Sequence, residues 1–261
     1  MEHAHGSNNI VYFNDSTMGG FTAVDTGEAR ASDLLAKRLR RPVFGISGPG
    51  FTPVVYADIL AAVGDDFADK AGTIVFQINM RSFSHVGFFT KDYYAPLRAF
   101  INAYGHPPSA LTYLACLADG AAPQACFHGL YAPGPDPAEG AVLPTGPPPL
   151  PDKAAQDYRE AYCNRVDDDH PMLARTRAVC AWAAKRRVRL VLYFTPINID
   201  RLESLLGPGC LAALRDNVRR VRAALADQGA TVLDYSELLR DDDFNEPWYA
   251  NEHLSAQGRE R

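Results

Sequence analysis

The chain has 261 residues, of which 47% are hydrophobic and 22% charged, and its formal net charge is −5. This length and apolar content suffice for one large α/β domain with a buried core, so we expect residues 1–261 to form a single domain. The acidic balance without a basic block excludes nucleic acid as an expected partner. No apolar run reaches the roughly 20 residues that a membrane helix needs, so we expect no membrane span.

The first predicted strand is the apolar run at residues 10–13, which leads into Asn14-Asp15-Ser16 and a glycine pair. In a parallel α/β sheet, ligands bind beyond the carboxyl ends of the strands, so Ser16 is placed at the mouth of a site. Asp15 and Ser16 are also good helix N-cap residues. The motif therefore indicates either a functional serine or a helix cap.

Strands and helices alternate along the rest of the chain. The sequence predicts further strands at residues 42–46, 73–78, 188–194 and 230–234. Helices are predicted at residues 29–40, 53–63, 92–104, 109–117, 152–165, 171–187 and 209–229. This alternation is typical of parallel βαβ units. It predicts an α/β fold, a three-layer αβα sandwich around a flavodoxin-like, five-stranded parallel sheet.

Residues 119–151 form a segment rich in proline and glycine, including Pro147-Pro148-Pro149. Proline removes a backbone donor and fixes φ, so such a segment holds no long helix or strand. We interpret it as an insert across the surface. It acts either as a lid over the site or as a plain connecting loop.

The sequence does not decide the cellular compartment of the protein. The first residues lack a signal-peptide pattern, which indicates a soluble, cytoplasmic protein as the chain stands. Residues 1–7 resemble an added leader, however, and loss of a native signal or anchor would indicate a periplasmic or secreted protein. The five cysteines are equally ambiguous: two disulfides that leave Cys210 free suit an oxidising compartment, and five buried thiols suit the cytosol.

Four short motifs, in order along the chain, together resemble the SGNH (GDSL-like) hydrolases. They are Asn14-Asp15-Ser16, Ile46-Ser47-Gly48, Asn79 at the end of an apolar run, and the closing His253-Leu254-Ser255-Ala256-Gln257-Gly258. The resemblance implies that Ser16 is a nucleophile and His253 its general base. It also implies that an oxyanion is held by the amides of Ser16 and Gly48 and by the side chain of Asn79.

The resemblance breaks at the acid that orients the histidine. Most of the family has Asp three residues before the His, where this chain has Ala250. Glu252 is our first choice for the acid, because the closing Glu-His-Leu is similar to one branch of the superfamily. The alternatives are one of the aspartates at 241–243, or a dyad whose imidazole is held by a carbonyl or water.

These residues predict a serine esterase that hydrolyses an O-acyl ester through an acyl-enzyme on Ser16, with acetyl groups on a small molecule or carbohydrate as candidate substrates. An O-acyltransferase that modifies a saccharide is the alternative, since water exclusion by the insert would favour transfer. A non-catalytic binding protein with the same fold is the second alternative, suggested by Ala250. No metal or cofactor is implied.

Overall fold

Five parallel strands form a single sheet in the computed structural model, which describes residues 9–15, 30–47, 51–84, 151–246, 248–250 and 252–261. The strands are β1 (Ile10–Asn14), β2 (Val43–Ser47), β3 (Thr73–Ile78), β4 (Arg189–Phe194) and β5 (Thr231–Asp234). Their order in the sheet is β2-β1-β3-β4-β5. This is the flavodoxin-like order, in which the chain reverses direction across the sheet between β1 and β3. The predicted fold class is confirmed.

Six α-helices connect and cover the strands in the described ranges. They are α1 (Ala31–Leu39), α2 (Pro53–Lys70), α3 (Pro151–Tyr162), α4 (Pro171–Arg186), α5 (Ile199–Leu225) and α6 (Ala256–Glu260). Two short 3₁₀ helices lie at Met80–Phe83 and Asp241–Asp243. Proline opens α2 and α4, where its fixed φ suits the first turn and its missing N–H is not needed.

Among the described residues, the two faces of the sheet carry cores of different size. The main core lies on one face, where the sheet packs against α2, α3, α4 and α5. The strands contribute Val11, Phe13 and alternate residues of β3 and β4 to it. On the other face, Tyr12 and Tyr193 form a small cluster with Ala31 of α1, and their hydroxyl groups are hydrogen-bonded. The helix α6 contacts α1. Helices therefore cover both faces, which makes the three layers of the sandwich.

Helix α5 begins ten residues before the predicted start at residue 209. The side chain of Asn198 accepts a hydrogen bond from the Arg201 amide and opens the helix. Gly207 then interrupts the helix with φ of 74°, a left-handed value that glycine adopts without strain, and Pro208 follows it. The Gly-Pro-Gly sequence therefore marks a kink between two helical halves instead of the first helical turn.

A disulfide joins Cys163, just after α3, to Cys210 in α5, with the Cα atoms 5.2 Å apart. The prediction that Cys210 is free and the alternative of five thiols are therefore both wrong. Among the described residues the free thiol is that of Cys180, which is buried. Burial raises the pKa of Cys180 to about 11, so its thiol stays protonated at neutral pH.

Several sequence predictions concern residues outside the described ranges. These are the helices at 92–104 and 109–117, and the insert at 119–151 except for its last residue. Of the helices in the described ranges, none combines the length and the apolar character that crossing a bilayer requires.

Candidate active site

Three buried polar side chains follow neighbouring strands at the carboxyl edge of the sheet. Asp15 follows β1, Asn79 follows β3 and Thr195 follows β4, and each is at most 3% exposed. Nδ2 of Asn79 donates a hydrogen bond to Oδ2 of Asp15 over 3.3 Å. Oδ1 of Asn79 accepts one from the Arg81 amide over 2.9 Å. The second bond fixes which end of the Asn79 amide is the donor, so its N–H groups face the side of Asp15.

The chain returns to this edge after β5 through a short antiparallel contact. Phe244 bridges to Leu254, and the Asn245 amide donates to the His253 carbonyl over 2.8 Å. This pairing brings Glu246 beside His253, although the two residues are seven apart in sequence. Nδ1 of His253 lies 3.0 Å from Oε2 of Glu246, and both side chains are buried.

The Glu246 carboxylate sets the proton arrangement of the imidazole. When Glu246 is ionised, its carboxylate can only accept, and Nδ1 of His253 is then the donor in this bond. In a neutral ring the other nitrogen, Nε2, then carries the lone pair. A histidine held in this way can take a proton at Nε2 while the carboxylate stabilises the resulting positive charge.

Glu252, the expected partner of His253, forms hydrogen bonds with two other side chains. The Tyr162 hydroxyl donates to its Oε1, and Oγ1 of Thr195 donates to its Oε2 over 3.1 Å. Its backbone is left-handed, with φ of 57°, and its side chain is directed to β4 and α3. The expectation that Glu252 contacts the imidazole is therefore corrected, because Glu246 occupies that position.

Burial raises the pKa of Glu252 to about 7. The nearby charge of Arg81 and the hydrogen bonds from Tyr162 and Thr195 oppose this rise, whereas the charge of Asp15 adds to it. Burial also raises the pKa of Tyr162, so that hydroxyl stays protonated and remains a donor. Glu252 thus changes charge near neutral pH, one residue away from His253.

Ala250, three residues before His253, contacts another part of the chain through its backbone. Nη1 of Arg81 donates to the Ala250 carbonyl over 2.7 Å, and the Ala250 side chain packs on the main core. Arg81 therefore links the segment before His253 to the 3₁₀ helix that follows Asn79. This contact holds the end of β3 and the histidine segment together.

The structure brings some of the expected site residues together and leaves others undescribed. Asn79 and His253 both lie at the carboxyl edge, whereas Ser16 and Gly48 lie outside the described residues. Two of the three alternative acids bind other groups: Asp241 accepts from Nδ2 of Asn198 over 2.8 Å, and Asp243 accepts from the Arg240 amide. Within the described part of the chain, no group of three or more His, Cys, Asp and Glu side chains is placed to hold a metal ion.

Sequence reasoning missed Glu246, Arg81 and Thr195. Glu246 has no fixed spacing to the histidine, so no motif marks it. Thr195 carried a usable signal, because it directly follows a buried strand at the same edge as Ser16 and Asn79. Arg81 lies two residues after Asn79, but nothing in the sequence shows that it reaches a carbonyl far along the chain.

No protein-family model and no curated protein matches the chain. In overall structure the chain is similar to a protein from Parabacteroides merdae that is described as a GDSL-like lipase. The two sequences are 10% identical, the match covers 97% of this chain and 91% of that chain, and the TM-score is 0.44. It is also similar to a mutant of Axe2, an acetyl-xylooligosaccharide esterase from Geobacillus stearmophilus, with 12% identity, 97% and 90% covered, and a TM-score of 0.45.

Proposed function

We propose that the chain is a serine ester hydrolase that acts on O-acyl esters through an acyl-enzyme on Ser16. The observation that carries the proposal is the buried hydrogen bond between His253 and Glu246. Burying a carboxylate and an imidazole costs free energy unless they pair. With Nδ1 as the donor in this pair, the lone pair of the neutral ring lies on Nε2, the proposed base. The contact between Glu252 and Thr195 supports the placement of the histidine segment at the edge where Ser16 follows β1.

In the proposed first step, Oγ of Ser16 attacks the ester carbonyl carbon as Nε2 of His253 takes the hydroxyl proton. The imidazolium then gives this proton to the leaving alcohol oxygen, and the acyl group stays on Ser16. In the second step, water gives a proton to Nε2 and attacks the acyl carbon. Return of the proton to Oγ of Ser16 releases the carboxylic acid. Glu246 stabilises the imidazolium in both steps.

Asn79 is proposed to hold the oxyanion that forms in each step. One N–H of its side-chain amide bonds to Asp15, and the amide carries two N–H groups, so a second donor serves the substrate oxygen. The backbone amides of Ser16 and Gly48 complete the proposed set of donors. Because Arg81 and Asp15 hold both ends of the Asn79 amide, the donor is oriented before the substrate arrives.

Acetyl esters of a small molecule or a carbohydrate are the proposed substrates, because they are the simplest O-acyl esters that this chemistry handles. The alternative of a non-catalytic protein depends on the missing acid at Ala250. Glu246 supplies a carboxylate at His253 by another route, which removes the reason for that alternative. No observation on the described residues favours acyl transfer to a saccharide over hydrolysis.

The test is turnover of p-nitrophenyl acetate by the wild-type protein, Ser16→Ala and His253→Ala, with mass detection of an acyl adduct on the intact chain. His170→Asn is the matched control, because His170 is a buried histidine whose ring nitrogen caps α4 and Asn keeps a capping acceptor. We expect the control to retain turnover and both site variants to lose it. Equal activity in all four proteins, or none in any, would contradict the proposal.

The fate of the adduct separates the two enzymatic reactions. A hydrolase forms an adduct on Ser16 that decays in water, and the decay needs His253. An adduct that persists in water but moves to an added saccharide alcohol would instead identify an O-acyltransferase.

A further inference from the structure

A second concave site lies at the amino-terminal edge of the sheet, opposite the candidate active site. It is a cavity of about 270 Å³. Thr73 and Arg189, the first residues of β3 and β4, pair in register and both line it. Because the active-site residues follow the other ends of these strands, the cavity is separated from them by the length of the sheet.

Arginine dominates the lining of this cavity. Arg41, Arg186, Arg187 and Arg189 all contribute to the wall, against a single carboxylate, Asp69. The whole chain has a net charge of −5, so this positive charge is a local concentration. A wall with four guanidinium groups and one carboxylate attracts anions.

Arg186 is held in place by its neighbours. Its guanidinium lies 4.6 Å from the centre of the Trp182 ring. Its Nε lies 2.7 Å from Oδ1 of Asp65, but without hydrogen-bond geometry, so the buried Nε–H has no acceptor. Among the described residues, neither Arg187 nor Arg189 forms an ion pair. The wall therefore combines one ordered cation, close to Asp65, with two arginines that form no ion pair in the described part of the chain.

Helix dipoles explain only part of this charge. Helices α2 and α4 end at this edge, and positive charge in a last turn interacts favourably with the helix dipole. The last turn of α2 carries Lys70, and that of α4 carries Lys185 and Arg186. Arg189 belongs to a strand, so it does not stabilise a helix end in this way. Arg41 directly follows the C-cap of α1, and its amide donates to the Ala36 carbonyl over 3.3 Å. Like charges gathered in one cavity repel one another, and a bound anion would relieve that repulsion.

We propose that this cavity binds a phosphate group. Guanidinium groups present planar, paired N–H donors that match the oxygen atoms of a phosphate, and the cavity has room for that group with several water molecules. The same chemistry is offered by free phosphate and by the phosphate of a lipid headgroup. The proposal is independent of the reaction at Ser16, since no residue is shared between the two sites.

The test compares Arg187→Gln/Arg189→Gln with the matched control Arg219→Gln/Arg220→Gln. The control removes the same charge from α5, where both arginines pair with Asp216. Calorimetry measures binding of inorganic phosphate, and sedimentation measures binding to phosphatidylglycerol vesicles against phosphatidylcholine vesicles. Thermal unfolding confirms that each variant folds.

We expect binding to be about tenfold weaker or more in the Arg187/Arg189 variant and unchanged in the control. Binding of inorganic phosphate would identify a small-molecule site, and binding to the anionic vesicles alone would identify a lipid headgroup. The proposal is overturned if neither probe binds the wild-type protein, or if both double variants bind as the wild type does.

Discussion

Nδ1 of His253 lies 3.0 Å from Oε2 of Glu246, and both side chains are less than one-tenth exposed. The pair forms because residues 244–246 run antiparallel to residues 253 and 254. Its geometry depends on tertiary contact and not on a fixed spacing along the chain. The carboxylate can therefore reach the imidazole even though Ala250 lies three residues before His253, where the sequence resemblance led us to expect an acid.

Glu246→Gln should lower kcat for p-nitrophenyl acetate on the order of 10³- to 10⁴-fold with little change in KM. The amide keeps the shape of the side chain but can no longer stabilise an imidazolium, and it allows the wrong tautomer. Steady-state kinetics measure the change. Glu237→Gln is the control, because it makes the same substitution at a surface ion pair with Arg215. Equal kcat in the two variants would show that Glu246 does not act on His253.

Asn79→Ala should lower kcat on the order of 10²- to 10³-fold, as expected for the loss of one oxyanion donor. Asn217→Ala is the control, because Asn217 is also buried and also joins two chain segments, accepting from the Val166 amide and donating to the Asn164 carbonyl. Both variants lose stability, so urea unfolding is measured alongside kinetics. Similar losses of kcat in the two folded variants would mean that Asn79 acts only as a structural residue.

The stability of the protein should fall as the pH rises through the range in which Glu252 ionises. Its pKa is about 7 in the folded protein against an ordinary value of 4.5, so the unfolded chain releases this proton first. Ionisation therefore favours unfolding, and the stabilising effect present below pH 4.5 is lost by about pH 7.

Between these two pH values, the wild type should lose about 3 kcal/mol more of its free energy of unfolding than Glu252→Gln does. The free energy of unfolding is measured by urea titration at a series of pH values. Subtracting the values of the two proteins cancels the contributions of the other titrating groups. Parallel pH profiles for the two proteins would show that Glu252 keeps an ordinary pKa.

Reduction of the Cys163–Cys210 disulfide should lower the free energy of unfolding by about 3 to 4 kcal/mol, because the bond closes a loop across a sequence separation of 47 residues. Urea unfolding with and without a reductant measures the loss. A Cys163→Ala/Cys210→Ala variant should be less stable and insensitive to the reductant. A reductant effect that persists in this variant would have to come from other cysteines.

The strands and their parallel arrangement could be predicted from local sequence, because each strand is a short apolar run between turn residues. The strand predicted at residues 73–78 has the same bounds as β3. The strand predicted at residues 188–194 begins one residue before β4 and ends at the same residue. The helix predicted from residue 209 corresponds only to the second half of α5, after the kink at Gly207. The sequence could not show that the eight residues before it are helical, because a proline and two glycines follow so closely.

Asn79 and His253 could be placed at one edge, because the first ends a strand and the second belongs to a closing motif. The acid could not be chosen, since adjacency in sequence is a poor guide to contact between side chains. Glu252 adjoins His253 and yet turns toward Tyr162 and Thr195, with its backbone in the left-handed region. The pairing of Cys163 with Cys210 similarly depends on how α3 packs against α5.

The contact between Arg81 and the Ala250 carbonyl joins two parts of the chain that are far apart in sequence. Arg81 lies in the 3₁₀ helix after β3, the central strand of the sheet, whereas Ala250, Glu246 and His253 all follow the last strand. The position of the histidine pair relative to the sheet therefore depends on a side chain that belongs to neither member of the pair. A change at Arg81 should shift both members together and leave the hydrogen bond between them intact.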